Sequence, residues 1–115
     1  MTEEKDDKKS RILEEKCRLL DIFKDIDENM KNFVEKQIIN LAWYTVSIED
    51  LQESIDKNGT VVEYNNGGGQ SGLKDNPDVK TLIAYQKHVN TIVNQLVSLV
   101  PPSQAKSKLM ELMNE

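Results

Sequence analysis

One cysteine, Cys17, and one histidine, His88, are the entire stock of thiol and imidazole side chains in this chain. An internal disulfide is therefore excluded, and a reducing compartment is the natural setting. A Cys/His metal centre is excluded too, because such sites draw three or four ligands from those two residue types. No Ser-His-Asp or Cys-His set suggests itself, and Cys17 falls on a helix stripe where it is expected to pack as a small hydrophobe. Aromatic residues make up 5% of the chain and do not alternate with basic ones, so a stacking platform for single strands has no support. No apolar run approaches the ~20 residues of a membrane-spanning helix. The acidic pairs Asp6-Asp7, Glu14-Glu15, Asp25/Asp27 and Glu49-Asp50 read as solvated helix faces. The expectation is no metal, no cofactor, no membrane and no catalysis by this chain.

Glycine is scarce as well, and four of the five are crowded into Tyr64-Asn-Asn-Gly-Gly-Gly-Gln-Ser-Gly-Leu-Lys74. A glycine-rich loop followed by lysine and a helix suggests a phosphate cradle, which requires G-x-x-x-x-G-K-[ST]. Gly67 and Gly72 have that separation. Yet Leu73 stands where the lysine must be, Lys74 comes one place late, and Asp75 replaces the hydroxyl with a carboxylate that repels phosphate. Asn76-Pro77 also starts the helix too late for its amides to close a cradle. A hairpin turn fits better, with Val61, Val62 and Tyr64 on the first strand and Leu73 returning toward the core on a short second one.

What is present in quantity is charge. Charged residues are 30% of the 115, with a net charge of -5. That balance argues against indiscriminate nucleic-acid binding and leaves room for a local basic patch. Residues 1–9 carry no apolar side chain after Met1 and read as a charged flexible tail. A single helical domain is expected over 10–115, with the hairpin between about 60 and 74. Ser10 caps a first helix bearing Ile12, Leu13, Cys17, Leu19, Leu20 and Phe23. From Asp27, a second helix of ~30 residues carries Met30, Val34, Leu41, Tyr44, Ile48, Leu51 and Ile55 on one stripe and stops at Lys57-Asn58-Gly59. Asn76 caps a third helix with Pro77 at its first position. After Pro101-Pro102, Ser103 caps a short fourth. The fold class is thus mainly α: an N-terminal helix, a long helix, a small β-hairpin, then two C-terminal helices.

Ile39, Trp43 and Val46 lie roughly opposite the main stripe of the long helix. A helix apolar on two sides needs two partners. A neighbouring subunit would supply one, making these three an oligomer interface; alternatively the first helix folds back over Trp43. A monomer of this size, with its charged start set aside, buries only ~60% of its unfolded surface, which also favours assembly. Nine of the fifteen basic residues lie in the first 36, among eleven acidic ones. Lys8, Arg11 and Arg18 follow helical spacing and could share a face.

The second half of the chain has a recognisable order. Asp50-Leu51-Gln52-Glu53-Ser54-Ile55-Asp56-Lys57-Asn58-Gly59 is followed by a Val-rich strand, a Gly/Asn turn and Lys74-Asp75-Asn76-Pro77. A helix containing Tyr85-Gln86-Lys87 and a closing Leu99-Val100-Pro101-Pro102-Ser103 complete it. Over roughly residues 10 to 112 this resembles one family of bacteriophage terminase small subunits. Val100-Pro101 replaces the family's Thr-Pro, Pro102 is an insertion, and Gln104 stands where an arginine often follows the serine. The resemblance implies a non-catalytic DNA-packaging component in the host bacterial cytoplasm, assembled as a ring. Such a protein recognises double-stranded viral DNA and serves a large subunit that owns the ATPase and nuclease. On that reading Lys8, Lys9, Arg11, Lys16 and Arg18 are the DNA-binding candidates, and Ile39, Trp43 and Val46 the assembly candidates. The other reading is a helical interaction adaptor with no nucleic-acid role.

Overall fold

The computed structural model describes residues 2–113, except for the side chains of residues 2–5, 66, 67 and 70. Its order is helix α1 (Thr2–Ile22), a one-turn 3-10 helix (Glu28–Met30), α2 (Lys31–Asn58), β1 (Val61–Gly67), β2 (Gln70–Asp75), α3 (Pro77–Ser98) and α4 (Pro102–Met113). The mainly helical architecture with one hairpin is as the sequence suggests.

Helix α1 begins at Thr2, so residues 2–9, expected as a flexible tail, are its first turns, and Ser10 lies inside it rather than capping it. No proline or glycine interrupts the chain before Gly59. Early acids suit the positive end of a helix. Asp27 caps the 3-10 turn, its carboxylate accepting from the Asn29 amide at 3.2 Å. That turn reverses the chain, and α2 follows. At 28 residues α2 is about 42 Å long. It ends at Gly59, whose φ of 82° favours glycine and whose amide donates to the Ile55 carbonyl at 2.6 Å.

Strands β1 and β2 pair antiparallel from Val61 opposite Asp75 to Gly67 opposite Gln70, with a shift of register between Asn65 and Gly67. Gly68 and Gly69 sit at the turn with φ of 60° and 82°. Two successive positive values suit the tight turn that matches strand twist. Leu73 does not return to the core: it is 70% exposed. Asn76, three residues on, commits the chain to the next helix cap rather than to packing.

Asn76 is the hinge of this end of the molecule. Its Oδ1 accepts from the Asp78 amide at 3.0 Å, and its Nδ2 donates to the Gly59 carbonyl at 2.8 Å. Its backbone amide donates to the Thr60 carbonyl at 2.9 Å. One buried side chain thus starts α3 and ties it to the end of α2. Ser54 adds a bond to the Asp78 carboxylate at 2.7 Å. Helix α4 starts two residues earlier than a Ser103 cap implies, with Pro102 in its first turn and the Pro101 carbonyl accepting from Gln104 and Ala105. Ser103 is therefore inside the helix and does not cap it, because proline is preorganised for that first position.

The core gathers Leu19 of α1, Phe23 just after its end, Val34, Ile38, Leu41 and Ala42 of α2, Ile92, Val93 and Leu96 of α3, and Leu112 of α4. Ile38 and Leu96 are fully enclosed. Lys108 of α4 donates to the Ile22 carbonyl at 2.6 Å, satisfying the end of α1 with a cation. Away from this core, α2 and α3 run on together and carry the hairpin at their tip. The molecule measures 62 × 31 × 22 Å, with a radius of gyration of 18.1 Å against ~13 Å for a compact chain of this length.

Candidate functional site

The five basic residues singled out on α1 do not form one patch. Arg11 and Arg18 are seven residues apart and share a side. Lys9 and Lys16, also seven apart, lie roughly opposite them at ~100° per residue. The arginine side faces the rest of the protein. Arg11 Nη1 donates to Asp50 Oδ1 at 2.7 Å, and its Nη2 is 3.9 Å from Glu49 Oε1. That hydrogen bond to Asp50 holds the guanidinium above its ordinary pKa, against the opposing effect of burial. Arg18 Nε donates to Glu15 at 2.6 Å, and its Nη1 donates to the Glu111 carbonyl at 3.2 Å. Lys8 lies over the Trp43 ring, its Nζ 5.2 Å from the centroid. Lys9 and Lys16 have no ion-pair partner among the described residues, so they are the α1 candidates left open to an external anion. The expected shared face of Lys8, Arg11 and Arg18 exists, but as a face turned toward internal partners.

The apolar trio on α2 also divides. Ile39 and Trp43, one turn apart, are 42% and 40% exposed. Val46 is 2% exposed beneath α1, beside Arg11, Glu14, Glu15 and Arg18. A neighbouring subunit cannot reach it, so Val46 leaves the interface set. Of the two expectations for this stripe, cover by the first helix is the one observed. The first helix does fold back, covering Val46 and placing Lys8 on Trp43, while Ile39 and much of Trp43 remain open.

Around Trp43 the fold assembles a group that the sequence did not reveal. Trp43 packs edge-on against Tyr44, with centroids 5.3 Å apart, and tilts against Tyr85 at 5.5 Å. Tyr44 meets Tyr85 edge-on at 5.1 Å and stacks on the exposed ring of His88 at 5.4 Å. Gln37, Asn40, Trp43, Tyr44, His88, Thr91 and Ile92 line an open notch of 310 Å³ beside these rings. Tyr85 and His88 are spaced i and i+3 on α3, which marks a shared face. Their partners lie some 40 residues earlier, beyond any local pattern.

Cys17 is exposed, not packed as a small hydrophobe. The apolar contacts of α1 run through Ile12, Leu19 and Ile22, and Cys17 points off that line. The glycine stretch forms the tip of a hairpin, and Lys74 pairs across it with Val62. Among the described residues there is no group of three or more His, Cys, Asp or Glu side chains placed to hold a metal. No helix there is long and apolar enough to cross a membrane.

Comparison with protein-family models, with curated proteins and with solved structures finds no match to this chain. Any assignment therefore rests on the residues themselves and their arrangement.

Proposed function

We propose that this chain is the small subunit of a phage terminase. In this reading it is a ring-forming, non-catalytic protein of the host bacterial cytoplasm that binds viral double-stranded DNA and regulates a large ATPase-nuclease subunit. The observation that carries the reading is under-burial combined with element order. The chain exposes 8401 Å², whereas a compact monomer of its mass exposes about 6,400 Å². Part of the excess is apolar: Ile39, Trp43, Ile83 and Val61 are each 40% to 48% exposed. A long α2–α3 pair with open apolar positions is suited to lateral packing against copies of itself. The succession of long helix, hairpin, Asn76-Pro77 helix and short closing helix is the order that carried the resemblance.

DNA contact falls to Lys9 and Lys16 in the resting arrangement. Two lysines per subunit are a weak site alone, but a ring repeats them and raises the effective concentration of each. A salt titration of duplex binding combined with light scattering tests the proposal. A defined oligomer is expected, with log affinity falling linearly against log salt. Lys9→Ala/Lys16→Ala should flatten that slope by about 0.9 for each phosphate no longer neutralised. A strictly monomeric protein at high concentration, or salt-independent binding, removes the proposal. A helical interaction adaptor is the second reading, favoured by the internal pairing of Arg11 and Arg18. It gains if the double lysine variant leaves every measured interaction unchanged.

A further inference from the structure

The N-terminal half of α1 lies on α2 without using a single apolar side chain. Residues 2–11 carry none, and the first residue packed on the core is Ile12. Charge holds this half instead, through Lys8 over Trp43 and through Arg11 on Asp50 and Glu49. The three charged side chains of the Arg11 cluster are 33%, 41% and 57% exposed, so salt and solvent reach them. The other end of α1 is fixed by Leu19 and by Phe23 just beyond its last residue, which are 1% and 4% exposed. One helix therefore has an apolar anchor at its end and a salt-labile attachment at its start. The two cations that fasten it are of the kind a polyanion engages, and the Glu49 and Asp50 carboxylates occupy the places phosphates would take.

We propose that residues 2–11 are a releasable arm, closed on α2 by Lys8–Trp43 and Arg11–Asp50/Glu49, and opened when a polyanion replaces those acids. Opening frees Lys8 and Arg11 and uncovers the part of the Trp43 ring that lies beneath Lys8. Polyanion capture and exposure of the Ile39–Trp43 face are thereby linked, and each favours the other. The polyanion half of this inference rests on the DNA-binding reading above; the salt-labile attachment stands without it.

Trp43 is the sole tryptophan, so its fluorescence reports the arm directly. Raising KCl from about 0.1 M to about 1 M shortens the Debye length from about 10 Å to about 3 Å. Over that range acrylamide should quench wild-type Trp43 progressively better, with far-UV circular dichroism showing a folded chain. Glu49→Gln/Asp50→Asn should show the open signal already at low salt, and Arg11→Gln should reproduce it from the other side of the contact. Glu53→Gln/Asp56→Asn removes the same charge away from the arm and should keep the closed signal. Readings at two protein concentrations separate arm opening from assembly. With random-sequence duplex DNA, Glu49→Gln/Asp50→Asn should bind about 2- to 10-fold tighter than Glu53→Gln/Asp56→Asn, the gain expected when a marginal competing closed state is removed. Equal quenching in wild type and both double variants at every salt concentration overturns the arm. Equal DNA affinity in the two double variants overturns the linkage to polyanion capture. Salt-dependent opening with no duplex binding by any variant overturns the DNA reading instead, and leaves the salt-labile arm in place.

Discussion

Replacing Asn76 tests the reasoning about the hairpin end most directly, because this one side chain joins the end of α2 to the start of α3. Asn76→Ala removes the acceptor for the Asp78 amide, a loss of about 0.5–2 kcal/mol for a helix cap. It also removes the donor to the Gly59 carbonyl, worth about 0.5–1.5 kcal/mol net. Gly59 is exposed, so its carbonyl recovers water and that second loss stays toward the low end. Together the expected destabilisation is about 1.5–3 kcal/mol, or roughly 6–12 °C in Tm for a chain of this size. Asn76→Ser separates the two effects. Its hydroxyl can still accept from the Asp78 amide but is too short to replace the amide donor at Gly59. It should therefore fall between wild type and Asn76→Ala, at about 0.5–1.5 kcal/mol. Urea unfolding followed by far-UV circular dichroism gives the values. Two protein concentrations should be compared, because any assembly adds to apparent stability. A loss below about 0.5 kcal/mol for Asn76→Ala, or a serine variant no more stable than the alanine one, would refute this account of the junction.

Ser47 offers the opposite sign. Its hydroxyl is buried on α2 with no hydrogen-bond partner among the described residues, so Ser47→Ala removes an unsatisfied group and improves helix propensity. A gain of about 0.5–1 kcal/mol in thermal or urea unfolding is expected, and a loss would mean that the hydroxyl has a partner in solution. Ile38→Ala, at a side chain with no exposed surface, should cost about 2–5 kcal/mol, whereas Leu73→Ser on the open hairpin should stay within about 0.5 kcal/mol. Similar costs at the two positions in the same unfolding assay would contradict the core as described.

The contrast between Ile38 and Leu73 also shows how far the sequence can be read. The main stripe of α2 runs through Val34 and Leu41 but passes over Ile38, because Gln37 interrupts the apolar pattern beside it. Hydrophobicity alone places Leu73 in the core, although the hairpin sits at the tip of α2 and α3 and contributes no described residue to it. The start of α1 is hidden for a related reason. A charged run without apolar residues reads as a tail, and only contact with Trp43 and Asp50 shows what such a run can rest on.

Features settled within a few residues are legible in the chain alone. Asn76-Pro77 sets a helix start through its cap and ring geometry. Lys57-Asn58-Gly59 sets a helix end through a positive φ, and Gly68-Gly69 sets a turn for the same reason. Which face meets which partner is settled only by the folded arrangement. Helical periodicity places Val46 with Trp43, or Arg11 with Arg18, but says nothing of what lies opposite. Arg11 finds Asp50 across 39 residues and Arg18 finds the Glu111 carbonyl across 93. Those pairings turn expected phosphate contacts into internal ones, bury Val46 under α1, and leave Lys9, Ile39 and part of Trp43 exposed, with Lys16 half-buried and without an ion-pair partner among the described residues. The physical reason is that caps and turns are satisfied by neighbouring backbone groups, whereas charges and apolar faces are satisfied by whatever the folded chain brings near.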